Sequence, residues 1–216
     1  ADSYAGIGLY KSTNFGASWR LVASSAKAGI PTRIGAIAVD PFDSNRVMLG
    51  GVSHAYDDQG PSTGGLFVSG DAGKTWSRLD FVSAHSYWCH AVEFHPGRRG
   101  FVFAAVTEKG IKNGIWISHD GGASWRQATA GLPDTDRFGR TQFAISPSQP
   151  DTIYAISARA DSDALLGIFR SDNAGQTWRN VTSNFGSEGQ MSYGLTIAVH
   201  PQNPHHVLCG GVDLHL

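Results

Sequence analysis

The sequence predicts an all-β chain, a β-propeller of four-stranded antiparallel blades with about four blades present. Three observations predict it. A twelve-residue segment recurs four times, ending in Trp19, Trp76, Trp125 and Trp178, which stand 57, 49 and 53 residues apart. A second element recurs between them, an apolar run closed by proline: Ile37 to Pro41, Val92 to Pro96, Phe143 to Pro147 and Ile197 to Pro201. No stretch sustains a 3.6-residue apolar period, so helix content is expected to be very low. Repeats of about 50 residues that each hold four short strands are the pattern of propeller blades.

Each unit reads as strands A to D. Strand A ends at the proline. Strand B follows a polar turn: Val47 to Leu49, Phe101 to Phe103, Ile153 to Ala155 and Val207 to Cys209. Strand C opens the twelve-residue segment, which reads GLYKSTNFGASW from Gly8, GLFVSGDAGKTW from Gly65, GIWISHDGGASW from Gly114 and GIFRSDNAGQTW from Gly167. Strand D begins at its Ser/Thr-Trp pair. The runs are short, alternating and rich in β-branched and aromatic residues, with turn residues between them. The 27 glycines among 216 residues supply those turns. Blade repeats are expected near 1–22, 33–81, 88–129, 141–182 and 194–216, in one propeller domain over 1–216.

The segment has a physical reading of its own. Asn14, Asp71, Asp120 and Asn173 stand where a short side chain can accept backbone N–H bonds across the C–D turn. Gly16, Gly73, Gly122 and Gly175 can take positive φ there. Ser12, Ser69, Ser118 and Ser171 can bond locally, and the four tryptophans supply large apolar surface between neighbouring blades. A catalytic or calcium-binding role for these acids is disfavoured, because two of the four are Asn.

The pattern Ser-x-Asp/Asn-x-Gly-x-Ser/Thr-Trp resembles the Asp-box, or bacterial neuraminidase repeat, over nearly the whole chain. That family includes sialidases, sortilin-type receptor ectodomains, xyloglucan-cleaving endoglucanases and a photosystem II assembly factor. The resemblance implies a propeller and leaves activity open. It also implies a secreted or periplasmic location. The first and last residues both fall on C-type strands, which favours a larger propeller of six to eight blades over a closed four-bladed ring.

Bulk properties narrow the partners. A net charge of -1 gives no electrostatic footprint for nucleic acid. No apolar run is long enough to span a bilayer. Cys89 and Cys209 have no CxxC spacing and read as buried small hydrophobes. The histidines show no metal-ligand spacing, so no metal and no cofactor is expected.

Loop lengths point to the functional face. Antiparallel order puts A–B and C–D turns at one end and B–C and D–A loops at the other. The former are short and uniform. The B–C loops (53–64, 107–113, 159–166) and D–A loops (23–32, 82–90, 130–140, 183–193) are longer and unlike one another, which marks them for binding. They carry His54, Tyr56, Asp57 and Asp58; His85, Tyr87, Trp88 and His90; Asp134, Asp136, Arg137 and Arg140; and Glu188, Gln190 and Tyr193. Aromatics beside carboxylates and arginines suit a sugar or peptide. For Tyr87 and Trp88, packing at the start of strand A is the competing expectation.

The expected function is a binding or assembly module for a glycan or protein partner, with a place in a larger assembly as a further reading. The alternative is a glycoside hydrolase that pairs Asp57 or Asp58 with Asp134, Asp136 or Glu188. An endoglucanase-like enzyme is favoured over a sialidase-like one, since Arg33, Arg137 and Arg140 form no assignable triad.

Overall fold

The structure, a computed structural model, describes residues 6–52, 64–82, 87–107, 110–183, 189–211 and 214–215. The loop residues His54, Tyr56, Asp57, Asp58, His85 and Glu188 lie outside these. The described chain is all-β apart from two four-residue helices and two 3-10 turns. It divides into two compact units, residues 1–92 and 93–216.

Residues 1–92 hold a two-stranded sheet of β1 (Gly8–Lys11) and β2 (Arg20–Ser24). A four-stranded sheet follows, of β3 (Ile34–Asp40), β4 (Asp43–Gly51), β5 (Gly65–Ser69) and β6 (Ser77–Leu79). Helix α1 (Ser25–Ala28) sits in the loop between the two sheets. The next strand, β7 (Trp88–Phe94), crosses the division. It heads a sheet completed by β8 (Val102–Thr107), β9 (Gly114–Ser118) and β10 (Arg126–Gln127). The last two sheets are β11 (Phe138–Ile145) to β14 (Arg179–Asn180), through β12 (Ile153–Arg159) and β13 (Leu165–Ser171), and β15 (Thr196–His200) to β17 (Leu214–His215), through β16 (Asn203–Gly210). Helix α2 (Met191–Gly194) lies in the loop between them. Each sheet is an antiparallel meander in sequence order, which is the build of propeller blades.

Strand A ends at or just before the proline in each of the four sheets that has one, because proline brings no N–H to a ladder. In β8 and β12, strand B is buried along nearly its whole length: Val102 to Thr107 are all buried, as are Ile153 to Ala158. In the three four-stranded sheets strand D is only two or three residues long, whereas the equivalent β2 has five.

That turn folds the same way four times. The serine Oγ accepts from the glycine N–H four residues on, at 2.9 Å for Gly16 and Gly73 and 2.8 Å for Gly122 and Gly175. The same hydroxyl donates to Oδ1 of the Asp or Asn two residues on. That Oδ1 accepts from the backbone N–H of Ser18, Thr75, Ser124 or Thr177. Asp and Asn are interchangeable because the neighbouring hydroxyl turns to suit. Thr75 and Ser124 donate to the second carboxylate oxygen at 2.6 and 2.5 Å, whereas Asn173 Nδ2 donates to Thr177 Oγ1 at 2.9 Å. These donors hold the Asp120 carboxyl down to about 2 and the Asp71 carboxyl well below the usual range. The glycines take φ of 78° to 96°.

The turn also joins sheets. Within residues 93–216, the position a Gly175 Cβ would occupy is 2.7 Å from Ile117 Cδ1 and 2.9 Å from Phe103 Cε1, so this glycine lies directly on the preceding sheet. Trp178 beside it is 5% exposed. Within residues 1–92, Gly73 faces Leu9 and Val22 of the β1–β2 sheet in the same sense, at 3.5 and 3.8 Å. Further ties link successive sheets: Phe103 with Phe143 at 6.2 Å between ring centres, and Tyr154 OH donating to the Pro204 carbonyl at 2.7 Å. His95 Nε2 meets Asp151 Oδ1 at 3.2 Å while its Nδ1 accepts from Gly97 N–H. Cys89 and Cys209 are both buried, on β7 and β16.

Candidate functional site

The B–C and D–A loops of residues 93–216 enclose a cleft of about 550 Å³. Its walls come from the end of β8 (Thr107), the loops entering β9 and β11, the end of β12 with residues 159–163, and Ser192 of α2. Loop-to-loop hydrogen bonds hold these pieces together. Asn113 Nδ2 donates to the Phe138 carbonyl at 3.0 Å, and Thr135 Oγ1 to the Ile111 carbonyl at 2.8 Å. Gln127 Nε2 donates to the carbonyls of Ile111 and Asn113. Ala160 N–H reaches the Arg137 carbonyl at 2.9 Å.

A break in the β11–β12 register between Phe138 and Thr141 sets the direction of Arg140. Such an irregularity re-aims side chains at a strand end. It needs Gly139, where a Cβ would stand 2.6 Å from the Arg159 carbonyl oxygen. Phe138 then goes into the core, fully buried against Phe169 at 5.7 Å, and Arg140 lines the cleft. Arg140 Nη1 donates to the carbonyls of Ser192 and Tyr193 at 3.1 and 2.7 Å. Burial lowers the pKa of this guanidinium. Its Nε and the Thr107 hydroxyl are buried and find no partner among the described residues.

The opposite wall carries the sequence Arg159-Ala-Asp161-Ser-Asp163. Arg159 grips Asp161 in a two-point ion pair at 2.8 and 2.7 Å, which holds the Asp161 carboxyl at about 2. Asp163 accepts a hydrogen bond from the Ser192 hydroxyl, and its carbonyl accepts from Met191 N–H. That arrangement ties α2 to the cleft. Asp136 completes the charged lining. Burial raises the Glu93 carboxyl to about 7, but Glu93 sits on β7 and does not line the cleft.

The residues singled out from the sequence fall in different places. Asp136 and Arg140 line this cleft. Asp134 and Arg137 are exposed at the ends of the 3-10 turn beside it, with Arg137 N–H donating to the Asp134 carbonyl. Tyr193 is exposed on α2. Tyr87 is fully buried: its hydroxyl accepts from Leu66 N–H at 3.0 Å and donates to the Leu79 carbonyl at 2.6 Å. Burial raises its pKa. Trp88 is half-buried on β7, edge-on to His90. Sequence reasoning passed over Thr107, Arg159, Asp161, Asp163 and Ser192. The alternating charges of 159–163 at a strand end were the available signal. Among the described residues no group of His, Cys, Asp and Glu is placed to hold a metal ion. No described helix is long and apolar enough to cross a membrane.

Comparison with known proteins agrees with this architecture. The Sortilin-Vps10 family model (sortilin, neurotensin receptor 3) matches residues 8–162. A vacuolar protein sorting/targeting protein 10 of Blastomyces gilchristii is 35% identical over 115 residues, which is 52% of this chain and 7% of that protein. A probable oligoxyloglucan-reducing end-specific xyloglucanase of Neosartorya fischeri is 26% identical over 188 residues, 82% of this chain and 20% of the enzyme. Among solved structures, an ancestral GH74 enzyme superposes with a TM-score of 0.65 at 18% identity, covering 98% of this chain and 28% of that one. The chain thus spans a fifth or less of the length of these two curated relatives.

Proposed function

This chain belongs to the Sortilin-Vps10 family, and from that premise we propose that it is a binding module that takes a glycan or a protein segment into its long-loop cleft. The observation that carries this reading is the state of the cleft's charges. A glycoside hydrolase needs one carboxylic acid kept protonated near neutral pH beside the scissile bond. Asp161 is driven the other way, to about 2, by its two-point pair with Arg159. Asp163 is taken by Ser192. What the cleft offers instead is a set of fixed donors and acceptors around a polar hollow, which suits recognition of a hydroxyl-rich or peptide chain. In this reading the repeated turns are Asp-boxes that serve as scaffold, and the module works outside the cytoplasm.

A second reading, an endoglucanase-like hydrolase, is favoured by the likeness to xyloglucanases over 82% of the chain. One experiment separates the two. Oligoxyloglucans and a peptide panel are titrated calorimetrically against the chain and against Arg159→Ala, with products followed by mass spectrometry. Saturable binding without cleavage, weakened at least about tenfold by Arg159→Ala (about 1.4 kcal/mol), supports the module. Cleavage supports the hydrolase, and no binding to any member of either set rejects the assignment to this cleft.

A further inference from the structure

We propose that Asn180, on the edge strand β14, is the acceptor for an N-linked glycan, a modification site apart from the cleft that rests only on the reading that the protein works outside the cytoplasm. Of the seven asparagines in the sequence, Asn180 is the one followed by x-Ser/Thr, as Asn180-Val-Thr182. That tripeptide, with x other than proline, is the acceptor pattern for N-glycosylation. A site also needs access, and the fold provides it. β14 is the edge strand of the β11–β14 sheet, paired with β13. The sheet has a neighbour on each side, through Phe103 with Phe143 and through Tyr154 with the Pro204 carbonyl. Its outer edge still meets solvent: Arg179, Asn180 and Thr182 are exposed, and Val181 between them is half-buried.

Ladder register shows what sets Asn180 apart from its counterpart in the preceding sheet. Asn180 pairs with Phe169 as Gln127 pairs with Trp116, so the two amides hold equivalent places. Gln127 Nε2 is consumed by the carbonyls of Ile111 and Asn113. The shorter side chain of Asn180 makes no such reach. Its Oδ1 accepts from Thr182 N–H at 2.8 Å, and its Nδ2 has no hydrogen-bond partner among the described residues. The chain thus closes β14 with an Asx-turn that leaves the amide nitrogen unspent. Neither Asn180 nor Thr182 lines the cleft, so a glycan here leaves the cleft open. A glycan on an edge strand also hinders pairing with other chains.

The co-substrate is an oligosaccharide linked to a polyprenyl pyrophosphate, and a membrane-bound transferase supplies the base. Asn180 Nδ2 forms a bond to C1 of the first sugar while the bond from C1 to the pyrophosphate oxygen breaks. The carrier leaves as the polyprenyl pyrophosphate, and one Nδ2 proton passes to the base. No oxidant or reductant is involved. In the folded chain Thr182 Oγ1 accepts from Ile168 N–H at 2.8 Å, and Val181 N–H donates to the Ile168 carbonyl at 2.8 Å. The tripeptide is then fastened to β13, so transfer precedes the docking of β14. The exposed edge afterwards carries the sugar without loss of those bonds.

The test is to produce the protein behind a secretory leader in a eukaryotic host, with Asn180→Gln, Thr182→Ala and Thr182→Ser alongside. Enzymatic release of N-glycans in heavy-oxygen water, followed by mass spectrometry, should show Asn180 converted to labelled Asp. Asn180→Gln and Thr182→Ala should each migrate as if lighter by one glycan. Thr182→Ser keeps both the acceptor pattern and a hydroxyl for Ile168 N–H, and should keep the glycan. Asn180→Gln leaves Thr182 and its bond in place, so it should retain the native circular dichroism even if Thr182→Ala does not. Secreted protein with Asn180 unmodified overturns the proposal. So does a secreted Asn180→Gln variant that migrates with the unaltered protein. Because the leader imposes the route, either result counts against this site and not against the location, which fractionation of the native cells tests separately.

Discussion

Replacing the turn glycine by alanine in three repeats separates two energies that one such change would mix. Gly16, Gly73 and Gly175 have φ of 85°, 90° and 78°, so the backbone cost of a Cβ is nearly the same in each. A left-handed conformation costs a non-glycine residue about 1–2 kcal/mol, and the stiffer unfolded chain returns about 0.5–1 kcal/mol. The net is about 1 kcal/mol. Packing then divides the three. At Gly16 the nearest atom is Trp19 Cζ2 at 3.9 Å, and at Gly73 it is Leu9 Cδ2 at 3.5 Å, both ordinary contacts. At Gly175 the new methyl would press on Ile117 and Phe103 at 2.7 and 2.9 Å, in a core where both are buried. Overpacking adds about 1–3 kcal/mol. Gly175→Ala should therefore cost about 2–4 kcal/mol, and Gly16→Ala and Gly73→Ala about 1 kcal/mol each. Hydrogen exchange resolved by segment is the suitable assay, since the chain has two compact units. It should show faster exchange in β8, β9 and the 171–178 turn for Gly175→Ala, and small local changes for the other two. Equal costs at all three positions would refute the claim that this turn joins sheets by packing.

Three further outcomes follow. Tyr87→Phe leaves the buried Leu66 N–H without its acceptor and should cost about 1–3 kcal/mol in urea unfolding; ligand affinity should stay unchanged, and weakened binding would put Tyr87 at the site. The depressed carboxyl of Asp120 adds stability that is present above its ordinary value near 3.8 and lost as pH falls toward about 2; Asp120→Asn, which can adopt the bonding seen at Asn173, should flatten that loss in thermal scans from pH 5 to 2. Burial lowers the pKa of His95, against the pull of Asp151, so the unfolded chain binds the proton more readily. The His95 contribution to stability should therefore fall away as pH drops below about 6.5, against the opposite slope from the raised Glu93 carboxyl, and the difference between the unaltered chain and His95→Gln should isolate it between pH 7 and 5.

Much of this fold was legible in the sequence because it is repetitive. Four copies of Ser-x-Asp/Asn-x-Gly-x-Ser/Thr-Trp place the C–D turn, and the proline after strand A marks where each ladder stops. The same copies did not reveal that Phe15, Ala72 and Ala174, one residue before the glycine, also take positive φ, at 56°, 61° and 54°. Ala72 N–H and Ala174 N–H donate to the Asn45 and Asp151 carbonyls at 2.8 and 2.9 Å, a tie to the neighbouring strand that the motif alone does not announce. Exposure was equally hidden: Trp19 and Trp178 read alike in sequence and differ because a sheet covers one of them. The cleft was legible only as a face. Loop divergence named Asp136 and Arg140, which line the cleft. It could not foresee that a register break would turn Arg140 toward residues 159–163, or that Arg159 would neutralise Asp161, because both depend on pairing between strands distant in sequence. Tyr87 shows the converse. A loop aromatic next to His and Trp suits sugar stacking, yet its hydroxyl is consumed by two backbone groups.

The most direct test of the central claim is to map a bound ligand by backbone NMR, using the oligoxyloglucan or peptide that binds best. The account predicts shift changes centred on residues 110–113, 135–140, 159–163 and 192, which are lost in Arg159→Ala. Changes centred instead on the short turns at 95–100 and 147–152 would place the ligand at the opposite end of the sheets and contradict it.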